Sequence, residues 1–262
     1  MGKYREVNEE LINLVAEHKT GREISRILGL DYSTVHAKLR KLGLNLYNYH
    51  NELKFDNTVF DSIDSEEKAY WLGFLYADGS VSSKVNSVEL SLKGDDKGHL
   101  EKFKFFLKCK KEVKVSNTYL NGKTYSRCRY QVTDKHFKER LVELGCVPRK
   151  SLILKFPSLD IFSNKYLVFD FIRGYVDGDG YLGFTKSGRL CLEIIGTKEF
   201  LQEMLKALNL STTLFYKDKR TKHNTYFINI CGNKAECVAT LLYSNATIYL
   251  ERKYNRYCRA IQ

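Results

Sequence analysis

The sequence predicts an α+β fold: a duplicated αββαββα unit preceded by a small all-α segment. Three observations predict it. WLGFLYADG, from Trp71 to Gly79, returns as IRGYVDGDG, from Ile172 to Gly180, with Gly73, Ala77, Asp78 and Gly79 matched 101 residues later by Gly174, Gly178, Asp179 and Gly180. Each copy is followed by two β-like runs and a helical run. The first 44 residues carry only helical periodicity. Two copies imply a pseudo-twofold domain and not a solenoid array.

The N-terminal segment, 1–44, reads as helices. Leu11, Leu14 and Val15 form one stripe, Ile24, Ile27 and Leu28 a second, and Val35, Leu39 and Leu42 a third. Gly29 breaks the second helix, and Asp31 or Ser33 can cap the third. Two short helices joined by a tight Gly-containing turn make a helix-turn-helix. Its second helix enters the major groove, which makes Tyr32, Ser33, Thr34, His36, Lys38 and Arg40 DNA-contact candidates. The competing reading is a three-helix protein-interaction module.

Residues 45–63 show no clear period and read as an extended, Asn- and aromatic-rich linker. The first half spans 64–160. Asp64 and Glu67 resemble a capping box opening the first motif helix. SVELSLK reads as a strand, HLEKFKFFL as a helix, and Asn121-Gly122 as a hairpin turn. The second half, 161–262, repeats this order with YLGFT, RLCLEII and FLQEMLKAL, and its motif helix starts near Tyr166.

The chain of 262 residues carries a formal charge of +12, with a pI near 9.2, which points to a polyanionic partner, nucleic acid first. No apolar run spans a bilayer and no signal peptide is visible. The expectation is a soluble, intracellular protein without a membrane partner: cytoplasmic or nucleoid-associated in a prokaryote or phage-infected cell, or organellar. The seven cysteines include no Cys-x-x-Cys pair, so free thiols are expected, with neither a disulfide framework nor a zinc site.

The motif has a chemical reading. Gly73 with Ala77, and Gly174 with Gly178, are spaced i, i+4, so each pair lies on one helix face and lets two backbones approach closely. Packing the two helices together brings Asp78 and Asp179 out side by side at the same end. Adjacent carboxylates repel unless protonated or bridged by cations. Two helix C-termini add partial negative charge and free carbonyl oxygens. Such a site suits Mg²⁺, with Mn²⁺ or Ca²⁺ as crystal substitutes, and paired metals suit in-line attack on a phosphodiester. The bland reading of each Asp-Gly is a helix stop followed by a turn.

WLGFLYADG and IRGYVDGDG resemble the two motifs of a single-chain LAGLIDADG homing endonuclease, and the resemblance covers about Ser65 to Gln262. It implies two antiparallel sheets forming a saddle over the DNA major groove. It implies metal ligation by Asp78 and Asp179, with backbone oxygens of Ala77 and Gly178. It also implies basic residues at the scissile phosphates, for which Lys150 and Lys253 are the candidates and Arg149 and Arg252 their neighbours. The first motif departs from the family pattern at Tyr76, where the second has Asp177.

Period-two alternation supplies sheet candidates for DNA contact: Tyr125, Arg127, Arg129 and Gln131 on one face, with Lys114 and Ser116 opposite while Val113 and Val115 face the core. Lys84, Arg189 and the loop carrying Lys217, Lys219 and Arg220 extend the set. A solvated polar face is the competing reading for each of them.

The combined expectation is a monomeric, metal-dependent, site-specific double-strand DNA endonuclease with a long target, extended by the helix-turn-helix. The alternatives are a DNA-binding transcription regulator on the same fold, or a maturase that binds intron RNA.

Overall fold

The computed structural model describes residues 2–17, 19–44, 54–120, 122–210, 215–218 and 224–262. The chain divides into two compact units. One comprises Met1–Phe55 with Cys109–Lys111; the other comprises Asp56–Lys108 with Glu112–Gln262.

The first unit contains α1 (Gly2–Ala16), α2 (Gly21–Leu28) and α3 (Tyr32–Lys41). Leu11, Leu14, Ile24, Val35 and Leu39 form its core. Thr20 closes a reciprocal capping box with Glu23 at the start of α2. Gly29 ends that helix in the left-handed region at φ 61°, where a Cβ is disfavoured. Asp31 occupies the N-cap position of α3 without a side-chain cap bond. Ile27 departs from expectation: it is 52 % exposed, because the eight-residue α2 buries only the face that carries Ile24.

The second unit contains two αββαββα repeats. The first is α4 (Glu66–Asp78), β1 (Gly79–Val81), β2 (Ser87–Lys93), α5 (Lys97–Phe106), β3 (Lys114–Leu120), β4 (Lys123–Thr133) and α6 (Lys135–Glu143). The second is α7 (Leu167–Asp179), β5 (Gly180–Phe184), β6 (Leu190–Gly196), α8 (Lys198–Ala207), β7 (Phe215–Lys217), β8 (Tyr226–Cys231) and α9 (Asn233–Tyr243). A final helix, α10 (Glu251–Ala260), follows. The sheets are antiparallel, with strand orders β1-β2-β4-β3 and β5-β6-β8-β7. Leu120 pairs with Lys123, so a two-residue connection joins β3 to β4.

Each sheet buries one face. Val88, Leu90 and Leu92 of β2 lie inward with Cys128, Tyr130 and Val132 of β4. Leu190, Leu192 and Ile194 do the same in the second sheet with Ile228 and Ile230. Full burial of a large apolar side chain contributes roughly 1.5–3 kcal/mol. Between the sheets α4 and α7 pack on each other along their length.

Four further details differ from the sequence expectation. Ser65, not Asp64, caps α4 by accepting from Lys68 N, because the helix begins one residue later. Val115 is 51 % exposed, because α5 packs on β2 and β4 and leaves the edge strand β3 uncovered. Val59, Phe60 and Ile63, at the end of the expected linker, are core residues, while 45–53 lie outside the described residues. Cys191 and Cys231, register partners on β6 and β8, are joined by a disulfide. Forty positions separate them in sequence, and only strand register brings them together.

Among the described residues, no helix is long and apolar enough to cross a membrane.

Candidate metal and nucleic-acid site

The seam between α4 and α7 sets the site. A Cβ on Gly73 would sit 1.9 Å from Phe171 O, and one on Gly174 would sit 2.0 Å from Tyr70 O. One residue pair further on, a Cβ on Gly178 would meet Ala77 Cβ at 2.3 Å and Asp78 Oδ2 at 3.4 Å. Gly73 and Gly174 therefore lie against the opposite backbone, and Gly178 lies against the Ala77 methyl. This approach holds the two helix C-termini together, and with them Asp78 and Asp179.

Asp78 is partly buried and Asp179 opens to solvent on one side. Lost hydration raises the Asp78 pKa to about 6, helped by the Asp179 charge and opposed by Lys253, Lys150 and Arg252. Lost hydration also raises the Asp179 pKa, against Lys150 and Lys253. The pair thus resists double ionisation unless cationic charge arrives.

The two lysines sit at the motif-helix ends that carry the carboxylates. Lys150 is 8 % exposed and its Nζ donates to Gly79 O. Lys253 is 1 % exposed and donates to Val176 O (2.5 Å), Asp177 O (2.7 Å) and Gly180 O (2.5 Å). Burial lowers the Lys253 pKa to about 8. Each ammonium satisfies carbonyls where a motif helix ends. Their charges reach the carboxylates, but their nitrogens point at backbone and not at open solvent. Among the described residues, no lysine hydrogen bond goes to the carbonyl of Ala77 or Gly178.

This donor set fits a hard divalent cation: two carboxylates, carbonyls at two helix C-termini, and a Gly178 position kept free of a side chain. Among the described residues, no cluster of three or more His, Cys, Asp or Glu side chains exists, so any cation here relies on backbone oxygen and water besides the two acids.

A cleft of about 800 Å³ opens at Asp78, bordered by Gly178, Lys93, Asp96, Arg127 and Arg252. Arg252, at the start of α10, pairs through Nε with both Asp96 carboxylate oxygens at 3.2 and 3.3 Å. Asp96 carried no signal in the sequence, since its role depends on α10 arriving from the other half.

A second feature invisible in the sequence is a buried polar network behind the site. Asp177 is fully buried and accepts from Tyr70 Oη, Tyr243 Oη and Leu250 N, each at 2.7 Å. Arg173, 2 % exposed, bridges Glu66 (2.7 Å) and Asp170 (2.8 Å) and donates to Ile248 O and Leu242 O.

The sheet candidates separate by position. Lys114, Ser116, Tyr125, Arg127 and Arg129 are exposed, and Gln131 is half-buried on the same face. Arg129 pairs with Glu89 (3.4 Å) and Arg127 donates to Ser91 Oγ. Lys84, Arg189 and Lys217 are exposed; Lys219 and Arg220 lie outside the described residues. In the first unit Tyr32, Ser33, Thr34 and Arg40 are exposed, His36 and Lys38 half-buried, and the Tyr32 and His36 rings lie 4.4 Å apart.

No protein-family model matches the chain. A probable translation initiation factor IF-2 of Methanocaldococcus jannaschii is 28 % identical over 180 residues, 63 % of this chain but only 14 % of that protein's length. Among solved structures, the homing endonuclease I-WcaI bound to its DNA recognition sequence covers 74 % of this chain and 87 % of its own, with TM-score 0.52 and 14 % identity. The LAGLIDADG meganuclease I-AabMI bound to uncleaved DNA covers 72 % and 88 % (TM-score 0.48, 14 % identity). The N-terminal LAGLIDADG domain of DUF199/WhiA covers 80 % and 96 % (TM-score 0.45, 18 % identity). Two motif helices packed through glycine, each leading into a four-stranded antiparallel sheet, give this chain the LAGLIDADG fold.

Proposed function

We propose that the protein is a site-specific double-strand DNA endonuclease, hydrolysing one phosphodiester on each strand with divalent metal at Asp78 and Asp179. The observation that carries this reading is the retention of both acids at the glycine-packed ends of α4 and α7, where a cation relieves their repulsion. Asp78, Asp179 and the carbonyls of Ala77 and Gly178 would hold Mg²⁺. A bound divalent cation supplies Lewis-acid charge at the phosphate and lowers the pKa of its water. Lys150 and Lys253 hold the helix ends and oppose the rise of the carboxylate pKa values, so they position the acids and do not touch the phosphate. The exposed row of Tyr125, Arg127 and Arg129 and its neighbours on the same face would lie against the duplex. The helix-turn-helix reading of α2 and α3 supports a second contact that lengthens the target. The net charge of +12 suits this partner.

The test is cleavage of a pooled genomic or randomised duplex library in Mg²⁺, with sequencing of new ends, beside Asp78→Asn/Asp179→Asn. Discrete ends from the wild type alone support the endonuclease. Specific retention of duplex without new ends, across several divalent metals, refutes it in favour of a regulator. Preferential retention of intron RNA refutes it in favour of a maturase.

A further inference from the structure

The two sheets are alike on the faces that meet the core and unlike on the faces that do not. Leu90 pairs with Tyr130 in the first sheet and Leu192 with Ile230 in the second, all four buried, and this fixes which outward rows correspond. One outward row of the first sheet runs Lys93, Arg127 and Ser116 across β2, β4 and β3, and all three are exposed. The row in the same place on the second sheet runs Ile195, Phe227 and Tyr216 across β6, β8 and β7. Ile195 and Phe227 are half-buried, Tyr216 is 43 % exposed, and the Tyr216 and Phe227 rings stack at 5.2 Å. The neighbouring pair is Ser91 with Arg129 in the first sheet and Glu193 with Asn229 in the second. A basic, polar row has become an apolar one.

Both rows lie at the acids. Lys93 and Arg127 line the cleft at Asp78. Gly180, which follows Asp179, pairs with Ile194, so Ile195 and its row stand at the end of the second sheet nearest Asp179. Cations flank that sheet without entering the row: Arg189 precedes β6 and Lys217 ends β7, both exposed. Cations outside and base-reading side chains within suit a duplex groove.

We infer that the two halves of the target differ in chemistry: base pairs beside Asp179 present thymine methyl groups to Ile195, Phe227 and Tyr216, and base pairs beside Asp78 present guanine to Lys93 and Arg127. This rests on the reading above in which both sheets lie against duplex DNA. The thymine methyl is the apolar group of the major groove, and guanine shows two acceptors, O6 and N7, in the same place. Against three apolar side chains, guanine would give up its water bonds with no donor in return, while a methyl gives up none. The Arg127 guanidinium supplies the two donors that guanine takes, and Phe227 in its place supplies none.

The experiment uses the full chain and the duplex it retains best from the randomised library, a selection that needs no cleavage. Thymines are replaced by deoxyuridine in one half-site at a time, which keeps the pairing and removes only the methyl. Guanines are replaced in the same way by 7-deazaguanine, which removes N7. In one half deoxyuridine should weaken retention about fourfold per contacted methyl, and in the other half by less than about twofold. In that other half 7-deazaguanine should weaken retention about tenfold. Ile195→Ala and Phe227→Ala should abolish the preference for thymine over deoxyuridine, and Arg127→Gln the preference for guanine over 7-deazaguanine in the opposite half. A variant that only folded poorly would bind every duplex less and keep these ratios, so ratios kept in Phe227→Ala overturn the inference. Retention that ignores the methyls in both halves overturns it too, and gives the apolar row to another occupant. Methyl-sensitive retention without cutting removes the endonuclease and keeps this inference; cutting that ignores the methyls removes this inference and keeps the endonuclease.

Discussion

The motif helices α4 and α7 are alike where they touch and unlike where they do not. On the shared seam, Gly73 and Gly174 each meet a carbonyl of the other helix at about 2 Å from where a Cβ would stand. One step off the seam, Leu72 faces Arg173 in the alignment, and Tyr76 faces Asp177. Around α4, Trp71, Phe74, Phe103 and Phe106 form an aromatic cluster, and Tyr76 Oη donates to Leu144 O. Around α7 rings also pack, Phe171 on Phe156 and Phe162 and Tyr175 on Phe200, and polar bonds are added: Arg173 donates to Ile248 O, Asp177 accepts from Leu250 N through its side chain and from Lys253 through its carbonyl, while Glu66 of α4 accepts from Thr247 N. Duplication therefore constrains the seam, where two backbones meet, and leaves each helix free to choose how it is anchored behind.

Four measurements can break or sharpen this contrast. Arg173→Met should have the largest effect. It strands Glu66 and Asp170 without their buried cation, at about 3–5 kcal/mol in urea unfolding. If the loss is under 1 kcal/mol, the polar anchoring of α7 is dispensable. Gly174→Ala comes next, at about 3 kcal/mol, since its Cβ must push the Tyr70 carbonyl away. Gly73→Ala should cost about the same, and a wide gap between the two would deny the symmetry of the seam.

Asp177→Asn removes one acceptor from a site fed by three donors and should cost about 2 kcal/mol, against about 1 kcal/mol for Tyr76→Phe. Equal losses would say that the two anchors carry the same weight. The fourth measurement is the pH dependence of stability in a metal chelator. The Asp78 pKa is raised to about 6 from its usual value near 3.8, so the folded state holds that proton more tightly than the unfolded chain. The penalty is absent below pH 3.8, grows as pH rises, and is complete above about 6. Stability against urea should therefore fall from pH 4 to 6.5, and Asp78→Asn should flatten that fall. An unchanged slope would place Asp78 in open water.

Much of this architecture was legible before any coordinates. The interval of 101 residues, the alternation in SVELSLK and RLCLEII, and the i, i+4 small residues report local and periodic constraints. Those constraints act within one element or between two copies of one element. The cap at Ser65 slipped by a single residue, since helix ends depend on local geometry that composition only approximates. The exposure of Val115 was hidden because burial of an edge strand depends on which helix covers it.

By itself, the sequence determined the duplication, the strand and helix order, the glycine seam and the two acids at its end. Each is written in residues close together or in repeats. Only the tertiary structure decided that Lys150 and Lys253 turn inward to backbone carbonyls, that Asp177 and Arg173 lock the C-terminal segment, and that Asp96 meets Arg252 across 156 positions. A charged side chain takes its partner from whatever the fold brings within about 3 Å, and that neighbour has no fixed spacing along the chain.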